Sequence, residues 1–182
     1  MLPICVFGHP VLRKKAIDVA ADEPQLQEFI DELFATMYNA EGVGLAAPQV
    51  GRSWRLFIVD THAFKETHPD VEELKETFIN PEVVETLGEE SSFNEGCLSL
   101  PELHEDVVRK SEVILTYTNR EGERKTTHFK GLPARVIKHE LDHLEGHVFT
   151  DRISSIRKMI VKKKLNDIAS GKTKPKYKSK FN

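Results

Sequence analysis

Five residues constrain this chain more than any others: His139–Glu140–Leu141–Asp142–His143. In a helix, two histidines four positions apart share a face about one turn apart, where both can reach one metal ion. In a strand the same pair would stand roughly 13 Å apart, too far to share an ion. The apolar spacing over residues 132–146 predicts that helix, and Gly146 ends it. Glu140 is not needed as a ligand, and its carboxylate can take a proton from water at the metal. The plain alternative is a surface helix carrying the pattern by chance.

The third ligand separates the enzyme classes that use this motif. The metzincin pattern HExxHxxGxxH finds Gly146 in place, but its last position is Phe149. His147 comes two residues early, just after the glycine that ends the helix. A thermolysin-type site wants a glutamate about one helix downstream, where this chain has Lys162–Lys163–Lys164. Both protease readings fail there. Upstream, Cys97 sits in Glu95–Gly96–Cys97–Leu98–Ser99. One thiolate with two imidazoles leaves a tetrahedral position open for water, as catalysis requires. Taken alone, Cys97 reads as a small core residue, as Cys5 does. A third segment, Gly42–Val43–Gly44–Leu45–Ala46–Ala47–Pro48–Gln49, offers glycines that admit close backbone approach and a neutral amide donor in Gln49.

Together and in this order, GVGLAAPQ, EGCLS and HExDH with its trailing HLxG resemble the three signature motifs of bacterial peptide deformylases. The resemblance extends to His9–Pro10–Val11–Leu12–Arg13, Leu100–Pro101 and Asp151–Arg152–Ile153–Ser154, and covers roughly residues 5–155. Lys138 stands where the family usually has Gln, and Glu145 where Asn is frequent. The resemblance implies metal ligation by Cys97, His139 and His143, with Glu140 as proton carrier. It implies one divalent ion per chain, Fe2+ by family habit, although Zn2+, Ni2+ or Co2+ suits the same donors. It also implies Gln49 and the Leu98 backbone N–H as oxyanion donors. An extended formyl-methionyl peptide would run along Val43–Gly44 and Glu95–Gly96, its side chain in a pocket of Val43, Val136, His139, Phe93 and the Arg135 stem. The expected reaction is hydrolysis of the N-formyl group from nascent chains, releasing formate. Competing readings are a zinc peptidase of another type and a structural Cys-His-His zinc site in a ribosome-associated binding protein.

The rest of the chain fits one catalytic domain over residues 1–170, of α+β class. Antiparallel sheets are expected around a central helix carrying HExxH, with one helix in the N-terminal half and one at the C-terminal end. Residues 24–41 predict the first, with an apolar stripe from Leu26 to Tyr38 and Pro24 in its first turn. Trp54–Asp60 and Thr77–Ile79 read as strands. Val113–Thr118 and Lys125–Phe129 flank the turn Asn119–Gly122, a hairpin. The charged stretch 61–76 reads as a surface loop. A last helix starts after Ser154 or Ser155 and ends near Gly171. No apolar run approaches the roughly 20 residues that span a bilayer. The short apolar start, Leu2–Phe7, has no cationic region before it, so the expected location is cytoplasmic.

Net charge is −3, unevenly spread. Residues 152–182 hold eleven Lys/Arg and one acid, giving +10, and the other 151 residues hold −13. A basic end on an acidic body points to an anionic partner; the family resemblance implies that this is the ribosome, met through the last helix and tail. By composition, residues 171–182 read as a disordered, Lys-rich tail, with the solubilising role as the plain alternative.

Overall fold

The computed structural model describes residues 1–182. It holds three helices and two sheets. Strands β2 (Gly44–Ala46), β3 (Leu56–Asp60), β4 (Lys75–Cys97), β5 (Leu100–Thr118) and β6 (Arg124–Lys130) form one antiparallel sheet in that order. Helix α1 (Leu26–Asn39) precedes this sheet in the chain, and α2 (Gly131–Leu144) and α3 (Ser155–Ala169) follow it. At the two ends of the chain, β1 (Ile4–Cys5) and β7 (Ser179–Lys180) pair in parallel. The fold is thus α+β, with one parallel pair beside the antiparallel sheet.

β3 shows why the sheet needs a helix on each side. Its Leu56, Phe57, Ile58 and Val59 are all buried. Successive side chains point to opposite faces. Phe57 and Val59 join α2 residues Ala134, Val136, Ile137 and Leu141 in one cluster, where Phe57 stacks on Phe78 at 4.6 Å. Leu56 and Ile58 join Phe29, Ile30, Leu33 and Met37 of α1 in another. The expected strand at 54–60 and first helix therefore hold, with Pro24 falling just outside the helix.

The largest departure from expectation is the length of β4 and β5. Short strands were expected near 77–79 and 113–118; the hairpin runs back to Cys97 and Leu100. β5 does alternate: Leu103, Glu105, Val107 and Arg109 are buried while their neighbours are exposed. Two of the inward residues are charged, and that hides the two-residue period from a reading by hydrophobicity. The hairpin matters because Cys97 closes one of its ends.

The C-terminal tail departs too. Residues 171–182 were expected to be disordered. Instead the Ile4 N–H donates to the Lys178 carbonyl at 2.9 Å and the Val6 N–H to Lys180 at 3.0 Å. Phe181 packs on the cluster containing Val6, Leu100 and Ile168. On α3, Val161 and Ile168 are the buried residues, while Ile156 and Ile160 stand exposed. Ser154 caps this helix, its side chain accepting from the Arg157 N–H. Truncation after Gly171 therefore removes packing as well as charge. It should lower the melting temperature by about 5 °C, from roughly 2 kcal/mol of lost contacts and bonds. An unchanged melting curve would mean that the strap does not hold.

Candidate metal centre and its cleft

The sequence motifs converge. α2 carries His139 and His143, and the β4–β5 turn carries Cys97. The ligand atoms of these three residues all lie within 4.8 Å of one another. Cys97 Sγ is 3.3 Å from His143 Nε2. His147, the early histidine, is not in the cluster; its ring sits 3.8 Å from Asp151 in solvent. Gly146 ends α2 with φ +77°, and a Cβ there would meet the Arg13 carbonyl at 2.8 Å.

What holds His139 was not legible beforehand. Its Nδ1 lies 3.0 Å from Glu95 Oε2. A carboxylate accepts, so Nδ1 donates and Nε2 keeps its lone pair for a metal. Glu95 also accepts from Arg109 Nε at 2.7 Å and Nη2 at 2.9 Å, and from Arg135 Nη1 at 2.9 Å. Burial works against ionising Glu95, yet the hydrogen bonds from His139 and Arg109 hold its carboxyl well below the usual carboxylate range. Arg109 also reaches Asp142 at 2.8 Å, and Arg152 closes on Asp142 from outside. Asp142 too stays low despite burial, through its bonds from Arg152 and Arg109. Glu95 was expected as a peptide-binding residue. It lines the cleft, but its side chain is turned inward to the helix.

Glu140 differs from the other acids. It is 3% exposed and its Oε2 has no partner. Burial pushes its pKa up to about 7. β2 crosses directly over it: a Cβ on Gly44 would sit 2.5 Å from Glu140 Oε1 and 2.9 Å from Val136 Cγ1. Only a glycine admits that approach. Gln49 is fixed as well. Its Oε1 accepts from the Ala46 N–H at 2.8 Å, while Nε2 donates to Ser99 Oγ at 3.1 Å and lies 3.5 Å from Cys97 Sγ. The amide nitrogen thus faces the centre.

These residues line a cleft of about 930 Å³ with Val43, Gly44, Phe93, Gly96, Leu98, Arg135 and Val136. Phe64, Thr67 and His68 from the expected surface loop also line it, as do Lys174–Tyr177 from the expected disordered tail.

The donor set suits a metal. Two imidazoles and a thiolate match borderline-soft divalent ions. The bond of His139 Nδ1 to Glu95 leaves its Nε2 as donor, and in His143 it is Nε2 that faces Cys97 Sγ at 3.3 Å.

A sequence profile described as polypeptide deformylase matches residues 1–159. The chain belongs to the polypeptide deformylase family. Peptide deformylases of Flavobacterium johnsoniae and Christiangramia forsetii are 49% and 46% identical, each across 100% of this chain and 96% of the relative. A crystal structure of a peptide deformylase from Legionella pneumophila superposes with a TM-score of 0.81 at 35% identity, covering 94% of this chain and 97% of that one. One from Synechococcus elongatus in complex with actinonin gives 0.77 at 34% identity, covering 94% and 87%. The three helices and the antiparallel sheet are the deformylase fold. This chain is accordingly a peptide deformylase, a metal-dependent hydrolase.

Lys138 is 9% exposed, and its Nζ has no partner. Burial, then Arg109 and Arg135, push its pKa down to about 8. A lysine whose folded pKa is lowered costs stability below its ordinary value of about 10.4. Lys138→Gln should raise the melting temperature at pH 7, by roughly 1–2 kcal/mol in stability. A lowered melting temperature would show that the ammonium has a partner.

Proposed function

We propose that Cys97, His139 and His143 hold one divalent metal ion and that Glu140, Gln49 and the Leu98 N–H carry out deformylation around it. The observation that supports this most is the convergence of three donors beside a buried, partnerless carboxylate. The HExxH helix is then the centrepiece of the fold, held in place by the sheet it covers. When bound, the ion would acidify a water and polarise the formyl carbonyl.

The protein supplies the rest. Glu140, raised toward neutrality by burial, accepts the water's proton and passes it to the departing amine. Gln49 Nε2 and the Leu98 N–H donate to the oxygen that becomes negative as the formyl carbon turns tetrahedral. Fixed donors of this kind contribute about 3 kcal/mol each in the transition state. The bond that breaks is formyl carbon to amine nitrogen, giving formate and a free N-terminus. Val43 and Gly44 on one side and Glu95 and Gly96 on the other offer backbone for an extended peptide. Val43, Val136, Phe93, the His139 ring and the Arg135 stem form the methionine pocket.

Fe2+ is the ion expected by family habit; the donor set also accepts Zn2+, Ni2+ or Co2+, and metal analysis of anaerobically purified protein distinguishes them. Action on N-formylmethionyl nascent chains supports a reading in which the enzyme works in the cytoplasm, at the ribosome. Lys158, Lys162 and Lys163 on exposed α3, together with the outward lysines of the tail, offer a basic face to ribosomal RNA. If about five cations meet phosphate, log K falls with log salt at a slope of roughly −4. Lys162→Glu with Lys163→Glu leaves the strap intact and should flatten that slope by about 2. Equal salt dependence of both proteins would remove ribosomal docking through α3.

Formate release from a formyl-Met tripeptide tests the chemistry. Glu140→Ala should keep its metal and lose nearly all turnover, because the ligands survive and the proton carrier does not. Cys97→Ser should hold metal far more weakly, a neutral hydroxyl replacing a soft thiolate. Normal turnover by metal-loaded Glu140→Ala, or unchanged metal content in Cys97→Ser, would overturn these assignments.

A further inference from the structure

The formyl carbon carries only hydrogen, so the acyl side of the scissile bond needs almost no room. Nearly all of the cleft of about 930 Å³ therefore serves the peptide. Val43, Val136, Phe93 and the Arg135 stem occupy one part of it as the proposed methionine pocket. A second part has no use assigned above. It is lined by Glu41 and Gly42 just beyond α1, by Leu98, Pro101 and Glu102, and by Lys174–Tyr177 of the tail.

These walls touch one another. A Cβ on Gly42 would meet Leu98 Cδ1 at 2.8 Å, so the Leu98 side chain lies against Gly42. The Tyr177 hydroxyl donates to the Leu98 carbonyl at 2.5 Å, and the pairing of β7 with β1 holds the tail in place. Gly42 leads directly into Val43–Gly44, and Leu98 follows Gly96 and Cys97. The second part thus adjoins both backbone segments offered to an extended peptide. Exposure alternates along its tail wall: Pro175 and Tyr177 are half-buried, and Lys174 and Lys176 are exposed. Among the tail lysines Lys172 alone forms an ion pair, with Asp167 at 3.5 Å, which leaves Lys174 and Lys176 free. The carboxylates here are Glu41 and Glu102, and Lys164 Nζ donates to the Glu102 carbonyl. Three ammonium groups therefore stand against two carboxylates.

We propose that this second part is the subsite for the residues that follow methionine, and that Lys174 and Lys176 make it favour acidic side chains there. This rests on deformylation as the proposed function. In an extended chain successive side chains point to opposite faces, so a methionine seated in its pocket directs the next side chain away from that pocket. An acidic side chain in the second part meets the two free ammonium groups; a basic one is repelled by them. Both effects act through solvent, so they are modest and are screened by salt.

Formate release from formyl-Met-Asp-Asp and formyl-Met-Lys-Lys tests this. The readout is the ratio of their kcat/KM values within one protein, so that any general loss of activity or stability cancels. The unaltered, metal-loaded protein should favour the acidic peptide about fivefold, and the ratio should shrink toward one as salt is raised. Lys174→Glu with Lys176→Glu should bring the ratio below one. If that protein does not fold, Lys174→Gln with Lys176→Gln should still lower the ratio by about threefold. A ratio near one in the unaltered protein, or the same ratio in the unaltered and altered proteins, overturns the subsite. Absence of formate release from both peptides and from formyl-Met-Ala-Ser would instead overturn the proposed function, and the subsite with it.

Discussion

One buried carboxylate organises the molecule. Glu95 leaves β4 and receives Arg109 from β5 and both Arg135 and His139 from α2. Its side chain and that of Arg109 are each 4% exposed, so none of these charges is relieved by water. Breaking such a network strands the remaining charges and costs about 3–5 kcal/mol. The network extends through Arg109 to Asp142, one turn beyond Lys138 on the same helix. α2 is thereby fixed in rotation against the hairpin, with His139 and His143 turned toward the end that carries Cys97. Of the two candidate imidazole ligands, His139 is held directly by Glu95, and His143 is oriented only through the helix that the network fixes.

The same helix carries charges the fold would do better without. Glu140 is buried with one oxygen unpaired, and its pKa of about 7 reflects the cost of ionising it there. That cost amounts to roughly 3 kcal/mol at pH 8, set against a carboxylate in water. The base role proposed for Glu140 accounts for that cost, because a base working near neutrality must hold a pKa near neutrality. Lys138 carries a similar burden two residues away, and its surroundings give its ammonium no catalytic use. The contrast separates a functional expense from a merely tolerated one.

Much of the centre was legible from residue types and spacing. The spacing of the two histidines put them on one helix face, the resemblance to the family's motifs joined Cys97 and Gln49 to them, and the structure brings all of these together. The supporting charges were not legible, because Arg109 and Glu105 sit inward on a strand where hydrophobicity was the signal sought. The tail was misread for a related reason. Lys172, Lys174, Lys176, Lys178 and Lys180 alternate strictly with uncharged residues, a two-residue period that matches the alternating exposure of the tail, in which Ser179–Lys180 forms the strand. Composition counts the lysines and discards their order. On α3, Val161 and Ile168 turn inward while the equally apolar Ile156 and Ile160 stand exposed, a difference that apolar character alone does not reveal.

The account stands or falls on which atoms bind the metal. X-ray absorption spectroscopy of the protein loaded with a single divalent ion reads those atoms directly. The expected first shell contains one sulfur, from Cys97, and two imidazole nitrogens, from His139 and His143, with the remainder light oxygen. A shell without sulfur, or with three imidazoles, would contradict it.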